Sequence, residues 1–105
     1  MAFELIKRFP RLSLPQIKTI CDAYRIRSLV LFGSAVRDDF SPDSDVDILV
    51  YFQSGERPGL KFVLLQDELS DALGRQVDLV EPGAIRNPYR LKSIFSKTEP
   101  LYVAE

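Results

Sequence analysis

The sequence predicts an α/β (α+β) fold, a small mixed β-sheet with flanking helices. Three observations predict it: short apolar runs of strand length, apolar residues that recur with the helical period, and capping residues at the ends of those helices. Along the chain, the predicted elements follow the order α-α-β-β-α-β-α-β. A chain of 105 residues has the usual size of one domain, and we expect residues 1–105 to form it.

Two helices are predicted at the start of the chain. Residues 3–9 form a short apolar helical patch. Ser13 and Gln16 then form a capping box, in which both side chains satisfy free amides, and the helix that begins there should run to about Tyr24. Cys21 lies on the apolar face of this helix, so we expect a buried thiol rather than a reactive one.

Two strands follow these helices. Residues 28–32 form a continuous apolar run, which is typical of a strand covered on both faces. Residues 45–52 show a strict alternation, which predicts a strand with Asp45 and Asp47 on the same face. The interval between the two strands contains Pro42 in a predicted turn.

The rest of the chain is predicted to add two helices and two strands. Residues 62–73 place apolar side chains on one helix face, and Gly74 is well placed to end that helix. Residues 77–80 form a third short strand. Asn87 and Pro88 resemble an N-cap with proline in the first turn, and residues 101–104 are a candidate edge strand.

Composition and charge exclude several classes of function. With 46% hydrophobic and 28% charged residues the chain resembles ordinary soluble globular proteins, and its net charge of −1 does not attract nucleic acid or anionic lipid. It lacks a bilayer-spanning apolar run and a segment shaped like a signal peptide, so we expect a cytoplasmic location. The absence of histidine excludes imidazole bases and most zinc sites, and the single cysteine excludes an internal disulfide.

A Gly-Ser pair ends the first predicted strand and is a candidate nucleotide-binding element. Gly33 lacks a Cβ and lets the backbone approach a phosphate closely, while Ser34 offers its N–H group and its hydroxyl. A helical turn beginning at Ser34 would favour the same anion, and the Arg37 guanidinium could reach it. Taken alone, a Gly-Ser pair is common in turns.

Three aspartates are candidate metal ligands and catalytic groups. Asp45 and Asp47 project from one face of a strand, where both can bind one Mg²⁺ ion, whereas without a cation they would repel each other. If the strand that contains Asp78 lies beside theirs, the three carboxylates form a site for two metal ions. One ion would hold a triphosphate, the other would lower the pKa of an acceptor hydroxyl, and Asp78 could accept its proton.

Each of these residues also has an ordinary structural explanation. An Asp-x-Asp before a strand is often solvated turn chemistry, Asp78 could face water on an edge strand, and Arg37 could be a surface cation. The combination favours a nucleotide site, because the Gly-Ser pair, the spacing and the later strand aspartate all agree. The remaining acids are interpreted as solvated, in the loop (Asp38, Asp39, Asp43) and on a helix face (Asp67, Glu68, Asp71).

The site residues carry a family resemblance. Residues 31–34, Arg37 and residues 44–50 resemble the signature of the polymerase-β-type nucleotidyltransferases, and within them the minimal nucleotidyltransferases, the MntA-like antitoxins. The ten residues between the Gly-Ser pair and the Asp-x-Asp pair fit that signature without insertion. Residues 77–80 match its third-carboxylate strand, and residues 87–102 also resemble the group, so the likeness covers nearly the whole chain.

The resemblance implies a nucleotidyltransferase fold and Mg²⁺-dependent transfer of AMP from ATP. Such proteins are commonly paired with a HEPN-type toxin whose tyrosine receives AMP, so it also implies a hetero-oligomer with a toxin. Carried onto this chain, Gly33 and Ser34 would bind the triphosphate, Asp45 and Asp47 the metal, and Asp78 would be the third carboxylate and a candidate base.

Two positions depart from the pattern of that family. Ala35 stands where a basic residue is often found, and Asp38 stands where a small residue is found. Asp38 beside a triphosphate would repel it unless the side chain turns to solvent. Two other functions stay open: a non-catalytic module that masks its partner stoichiometrically, and a small-molecule nucleotidyltransferase completed by a separate substrate-binding subunit.

Overall fold

The computed structural model describes residues 9–36, 45–53 and 59–104, which form a four-stranded sheet flanked by three α-helices. The helices are α1 (Leu14–Ala23), α2 (Phe62–Leu73) and α3 (Pro88–Phe95). The strands are β1 (Ile26–Phe32), β2 (Val46–Phe52), β3 (Val77–Val80) and β4 (Glu99–Val103). This architecture confirms the predicted fold class. Of the predicted helical patch at residues 3–9, only Phe9 is described, and it is buried.

The sheet is mixed, with the strand order β3-β2-β1-β4. Strand β1 is antiparallel to both β2 and β4, whereas β2 and β3 are parallel. Because of these directions, the first residues of β2 and β3 lie together, and the last residues of β1 lie beside them. A backbone hydrogen bond of 2.8 Å from the Val46 amide to the Gln76 carbonyl joins the starts of β2 and β3. The starts of β2 and β3 and the end of β1 therefore lie together at one end of the sheet, where β4 also begins.

The two faces of the sheet are covered unequally. The larger core, on the face of α1 and α2, takes Ile48 from β2 together with Leu29 and Leu31 from β1. The opposite face has a smaller core, in which Ile94 of α3 packs with Phe32 and Leu49. Both cores draw on β1 and β2, which confirms the predictions that β1 is covered on both faces and that the side chains of β2 alternate.

Of the two hydrogen bonds in the predicted capping box, only the one to the Ser13 hydroxyl is observed. The Ser13 hydroxyl accepts a hydrogen bond from the Gln16 amide at 3.3 Å, as expected for an N-cap. The Ser13 amide, however, donates to the Ala72 carbonyl at 3.0 Å, so the reciprocal bond assigned to the Gln16 side chain is wrong. The start of α1 packs against the end of α2, and this tertiary contact supplies an acceptor that a local motif cannot reveal.

The other predicted element ends are observed with small shifts. The Asn87 side chain accepts hydrogen bonds from two amides at the start of α3, at 2.9 and 3.3 Å. Gly74 ends α2 in the left-handed conformation with φ of 70°. Strands β1 and β4 each begin two residues before the predicted starts at 28 and 101. None of the helices in the described ranges is long and apolar enough to cross a bilayer.

The cysteine is a core residue, as predicted. Cys21 is fully buried in the larger core. Burial, and secondarily the charge of Asp22, raises the pKa of its thiol to about 12. Since the thiolate is the nucleophile, the thiol of the folded protein is unreactive at neutral pH.

Removal of the Ser13 hydroxyl should destabilise the protein. We expect Ser13→Ala to lower the free energy of unfolding by about 1 kcal/mol, and Ser13→Gly by only a few tenths. Gln16→Ala should stay within about 0.5 kcal/mol of wild type, because only the Gln16 backbone takes part in the cap. Urea denaturation of the four proteins checks this. A larger loss for Gln16→Ala than for Ser13→Ala would contradict the cap as described.

Candidate active site

Asp47 and Asp78 lie directly opposite each other in the parallel pair of β2 and β3. Residues paired directly across a sheet point to the same face, so both carboxylates lie on one face. Asp47 is half-buried, whereas Asp78 is exposed, as expected of an edge strand. The condition under which Asp78 would join the aspartate pair, that its strand lies beside that of Asp47, is therefore met.

Gly33 lies against the Asp47 carboxylate. It follows Phe32, which pairs with Asp47 across β1 and β2. Its φ is +65°, and a Cβ built on its backbone would overlap the Oδ2 atom of Asp47. Glycine is therefore required here for its left-handed conformation and for the space that the carboxylate occupies. The sequence had suggested only a close approach of a phosphate.

The backbone after β1 turns immediately. Residues Gly33–Val36 form a 3₁₀ turn, so the helical turn considered from Ser34 onward begins one residue earlier, at Gly33. Only the backbone of Ser34 is described, and Arg37 and Asp38 lie outside the described residues. Their predicted effects on phosphate binding therefore stay predictions.

Asp45 lies one residue before β2 and is exposed. Among the described residues, no group of three His, Cys, Asp or Glu side chains is arranged to hold one metal ion. The register nevertheless brings Asp47 and Asp78 together, with Asp45 two residues before Asp47. These donors are all carboxylate oxygens, which are the ligands that Mg²⁺ prefers, so the residues present fit that ion.

A cleft of about 640 Å³ opens beside Asp78. Its apolar lining includes the half-buried Phe62 and Ile85, and its polar lining includes Arg86 and Arg90. It lies between the start of α2, the segment that follows β3, and the first turn of α3. A molecule that occupies this cleft would contact the Asp78 strand along an apolar wall.

A smaller cavity of about 230 Å³ lies on the Gly33 side of the site. Arg90 and Lys97 line it together with Gly33, and Arg90 also lines the cleft beside Asp78. No motif in the sequence had marked these two cations as site residues. The spacing of the helix could have indicated Arg90, because it lies four residues before the apolar Ile94 and therefore on the same helix face.

The chain resembles known nucleotidyltransferases over most of its length. A family model described as a nucleotidyltransferase domain matches residues 14–101. A Methanocaldococcus jannaschii chain, whose name assigns it to the protein adenylyltransferases, is 50% identical over 78 residues, 73% of this chain and 78% of its own. The protein adenylyltransferase MntA of Thermococcus cleftensis is 39% identical over 85 residues, 72% of this chain and 84% of its own.

Solved structures share the fold. One described as a minimal nucleotidyltransferase matches with a TM-score of 0.63 and 26% identity, over 85% of this chain and 87% of its own. A chain from the crystal structure of a toxin–antitoxin with AMP-PNP matches with a TM-score of 0.66 and 21% identity, over 90% of this chain and 76% of its own. The chain thus belongs to the nucleotidyltransferase domain family, and it is a nucleotidyltransferase similar to the minimal, MntA-like members.

Proposed function

We propose that this chain is a Mg²⁺-dependent protein adenylyltransferase that transfers AMP from ATP to a tyrosine of a HEPN-type toxin, and so acts as an antitoxin. The observation that carries the proposal is the register that sets Asp47 opposite Asp78 beside Gly33. The names of two relatives support protein adenylylation, and the toxin–antitoxin structure with AMP-PNP supports a toxin partner and a nucleotide. The HEPN type and the tyrosine follow from the family resemblance.

Asp45, Asp47 and Asp78 would hold the metal, which we propose to be two Mg²⁺ ions. Bound there, Mg²⁺ would neutralise triphosphate charge and lower the pKa of the acceptor hydroxyl. The triphosphate would lie on the side of Gly33, where the backbone carries no side chain to exclude it, with Ser34 and Arg37 as its further ligands.

The transfer step exchanges the phosphoanhydride bond between the α- and β-phosphates of ATP for a phosphoester bond to the acceptor. The acceptor tyrosine oxygen attacks the α-phosphorus of ATP and forms a new O–P bond. The bond from that phosphorus to the oxygen shared with the β-phosphate breaks, and pyrophosphate leaves with the electron pair. The hydroxyl proton passes to the Asp78 carboxylate, which is exposed and therefore accessible to an incoming acceptor.

The cleft beside Asp78 suits the acceptor. Its apolar wall includes Phe62 and Ile85, against which an aromatic ring can pack while its hydroxyl faces Asp78. The partner's tyrosine is thus proposed to enter from the β3 edge, through the cleft that Arg90 shares with the cavity beside Gly33.

Labelled ATP separates adenylyl transfer from other reactions. The chain and its toxin partner are incubated with Mg²⁺ and ATP labelled at either the α- or the γ-phosphate. We expect label on the toxin from α-labelled ATP alone, no label on a toxin whose acceptor tyrosine is replaced by phenylalanine, and strongly reduced label with Asp78→Asn. Label from γ-labelled ATP would indicate phosphoryl transfer, and either that result or an unlabelled toxin would overturn the proposal.

Masking of the partner without chemistry is the second candidate, because an apolar patch borders the cleft. Leu60, in the 3₁₀ turn before α2, is 98% exposed, and Val63 and Leu64, in the first turn of α2, are 63% and 57% exposed. Such exposure is unusual for large apolar side chains and suits a partner contact. If masking suffices, the double variant Asp45→Ala/Asp47→Ala should still neutralise the toxin in cells. If transfer is needed, that variant should fail while still binding the toxin.

A further inference from the structure

The charged side chains in the described lining of the cavity beside Gly33 are all positive. Its described lining contains two cations, Arg90 and Lys97, and no acidic residue. The cleft beside Asp78 differs, because Asp78 and Glu81 line it together with its arginines. Among the described lining residues, the cavity beside Gly33 therefore carries the more positive charge of the two, which suits a highly charged anion.

Helix α3 holds Arg90 in place over this cavity. Ile94, four residues later on the same helix face, is buried in the smaller core against Phe32 and Leu49. Phe32 immediately precedes Gly33, so the helix is anchored on the strand end that carries the proposed phosphate-binding turn. At its start, the Asn87 side chain caps α3 and accepts a hydrogen bond from the Arg90 amide at 3.3 Å.

The proposed reaction concentrates negative charge in the site, and cations such as Arg90 and Lys97 would offset it. Asp45, Asp47 and Asp78 add three carboxylates to a site that must accept a triphosphate. Metal ions offset part of this negative charge, but charge also develops on the leaving pyrophosphate as its bond to the α-phosphorus breaks. A guanidinium is the side chain best matched to phosphate oxygens, because its planar fork donates two parallel hydrogen bonds.

We propose that Arg90 and Lys97 bind the β- and γ-phosphates of ATP and stabilise them as the leaving pyrophosphate. The inference rests on the proposed adenylyl transfer and assigns a binding site for its second product. Arg90, between the two hollows, contacts the β-phosphate nearer the reacting bond, and Lys97 contacts the outer phosphate. The acceptor occupies the cleft beside Asp78, so Arg90 borders both the cavity of the leaving group and the cleft of the entering group.

Binding of three probes tests this assignment without any partner. Calorimetric titrations with ATP, inorganic pyrophosphate and AMP, each with Mg²⁺, compare wild type with Arg90→Ala, Arg90→Lys and Lys97→Ala. We expect Arg90→Ala to weaken binding of ATP and pyrophosphate about tenfold and binding of AMP less than about twofold. Arg90→Lys should restore part of the loss, since it keeps the charge but not the fork.

Lys92→Ala is the matched control. Lys92 is an exposed cation on the same helix and lines neither hollow, so its removal makes the same change in net charge. Pyrophosphate affinity that is equal in Arg90→Ala and Lys92→Ala would overturn the assignment. So would a loss of AMP affinity as large as the loss of pyrophosphate affinity, because that would mean a general disturbance of the site. Thermal melts of each variant confirm that it is folded.

The same titrations separate this inference from the proposed function. If wild type binds ATP and pyrophosphate through Arg90 but the toxin is never labelled, the phosphate site stands and adenylyl transfer fails. If the toxin is labelled and Arg90→Ala binds pyrophosphate like wild type, transfer stands and the assignment fails. A wild-type protein that binds neither ATP nor pyrophosphate with Mg²⁺ would overturn both.

Discussion

Asp47→Asn should lower the rate of AMP transfer by about a thousandfold or more. The substitution keeps the shape of the side chain and removes its charge, and Asp47 is the carboxylate that lies both opposite Asp78 and against Gly33. Loss of that charge weakens the metal site and the alignment of ATP at once. The rate is measured with α-labelled ATP and the toxin partner under single-turnover conditions, so that product release does not mask the chemical step.

A metal-dependent measurement checks the same prediction without the partner. Mg²⁺ that binds only the folded protein should raise the melting temperature of wild type, and it should have a much smaller effect on Asp47→Asn. Asp67→Asn is the matched control, since Asp67 is exposed on α2 and its replacement changes the net charge equally. The control should transfer AMP within about twofold of wild type. A rate for Asp47→Asn above about a tenth of the wild-type rate would contradict a metal-ligand role.

Local sequence patterns predicted the strands of the site well. The alternation through residues 45–52 decides which face Asp47 takes, because a strand has a period of two and a slip of one residue would bury the carboxylate in the larger core. Val77 and Leu79, the neighbours of Asp78 in β3, are buried in the same larger core. The alternation of the strand therefore places Asp78 on the opposite face. Two strands with such unambiguous patterns leave little freedom in where their aspartates point.

Contacts between distant segments could not be predicted in this way. The Ser13 amide donates to the carbonyl of Ala72, which lies in another helix. Arg90 lines the cavity beside Gly33 because α3 packs on the sheet face that carries the smaller core. Neither pairing leaves a periodic signal, since each depends on how helices dock on the sheet. The role of Gly33 was underestimated for the same reason, because the nearby Asp47 carboxylate belongs to another strand.

Gly33→Ala should destabilise the protein by about 3 kcal/mol and abolish most of its transfer activity. Part of the cost is the left-handed φ of +65°, which a Cβ makes unfavourable by about 1 kcal/mol or more. The rest is the overlap of the new Cβ with the Asp47 carboxylate, which must move away from its position opposite Asp78. Urea denaturation gives the stability, and the labelled-ATP assay gives the activity.

A control glycine and a double variant separate these two costs. Gly59 has a φ of +60°, and a Cβ added to it would meet no described atom within 4 Å, so Gly59→Ala should show the conformational cost alone. In a background of Asp47→Ala, the overlap partner is removed, and the cost of Gly33→Ala should fall to nearly that of Gly59→Ala. The difference is a coupling free energy of about 2 kcal/mol between positions 33 and 47. Additive effects of the two substitutions would show that Gly33 is needed for its backbone conformation only, and not as the space in which the metal-binding carboxylate is held.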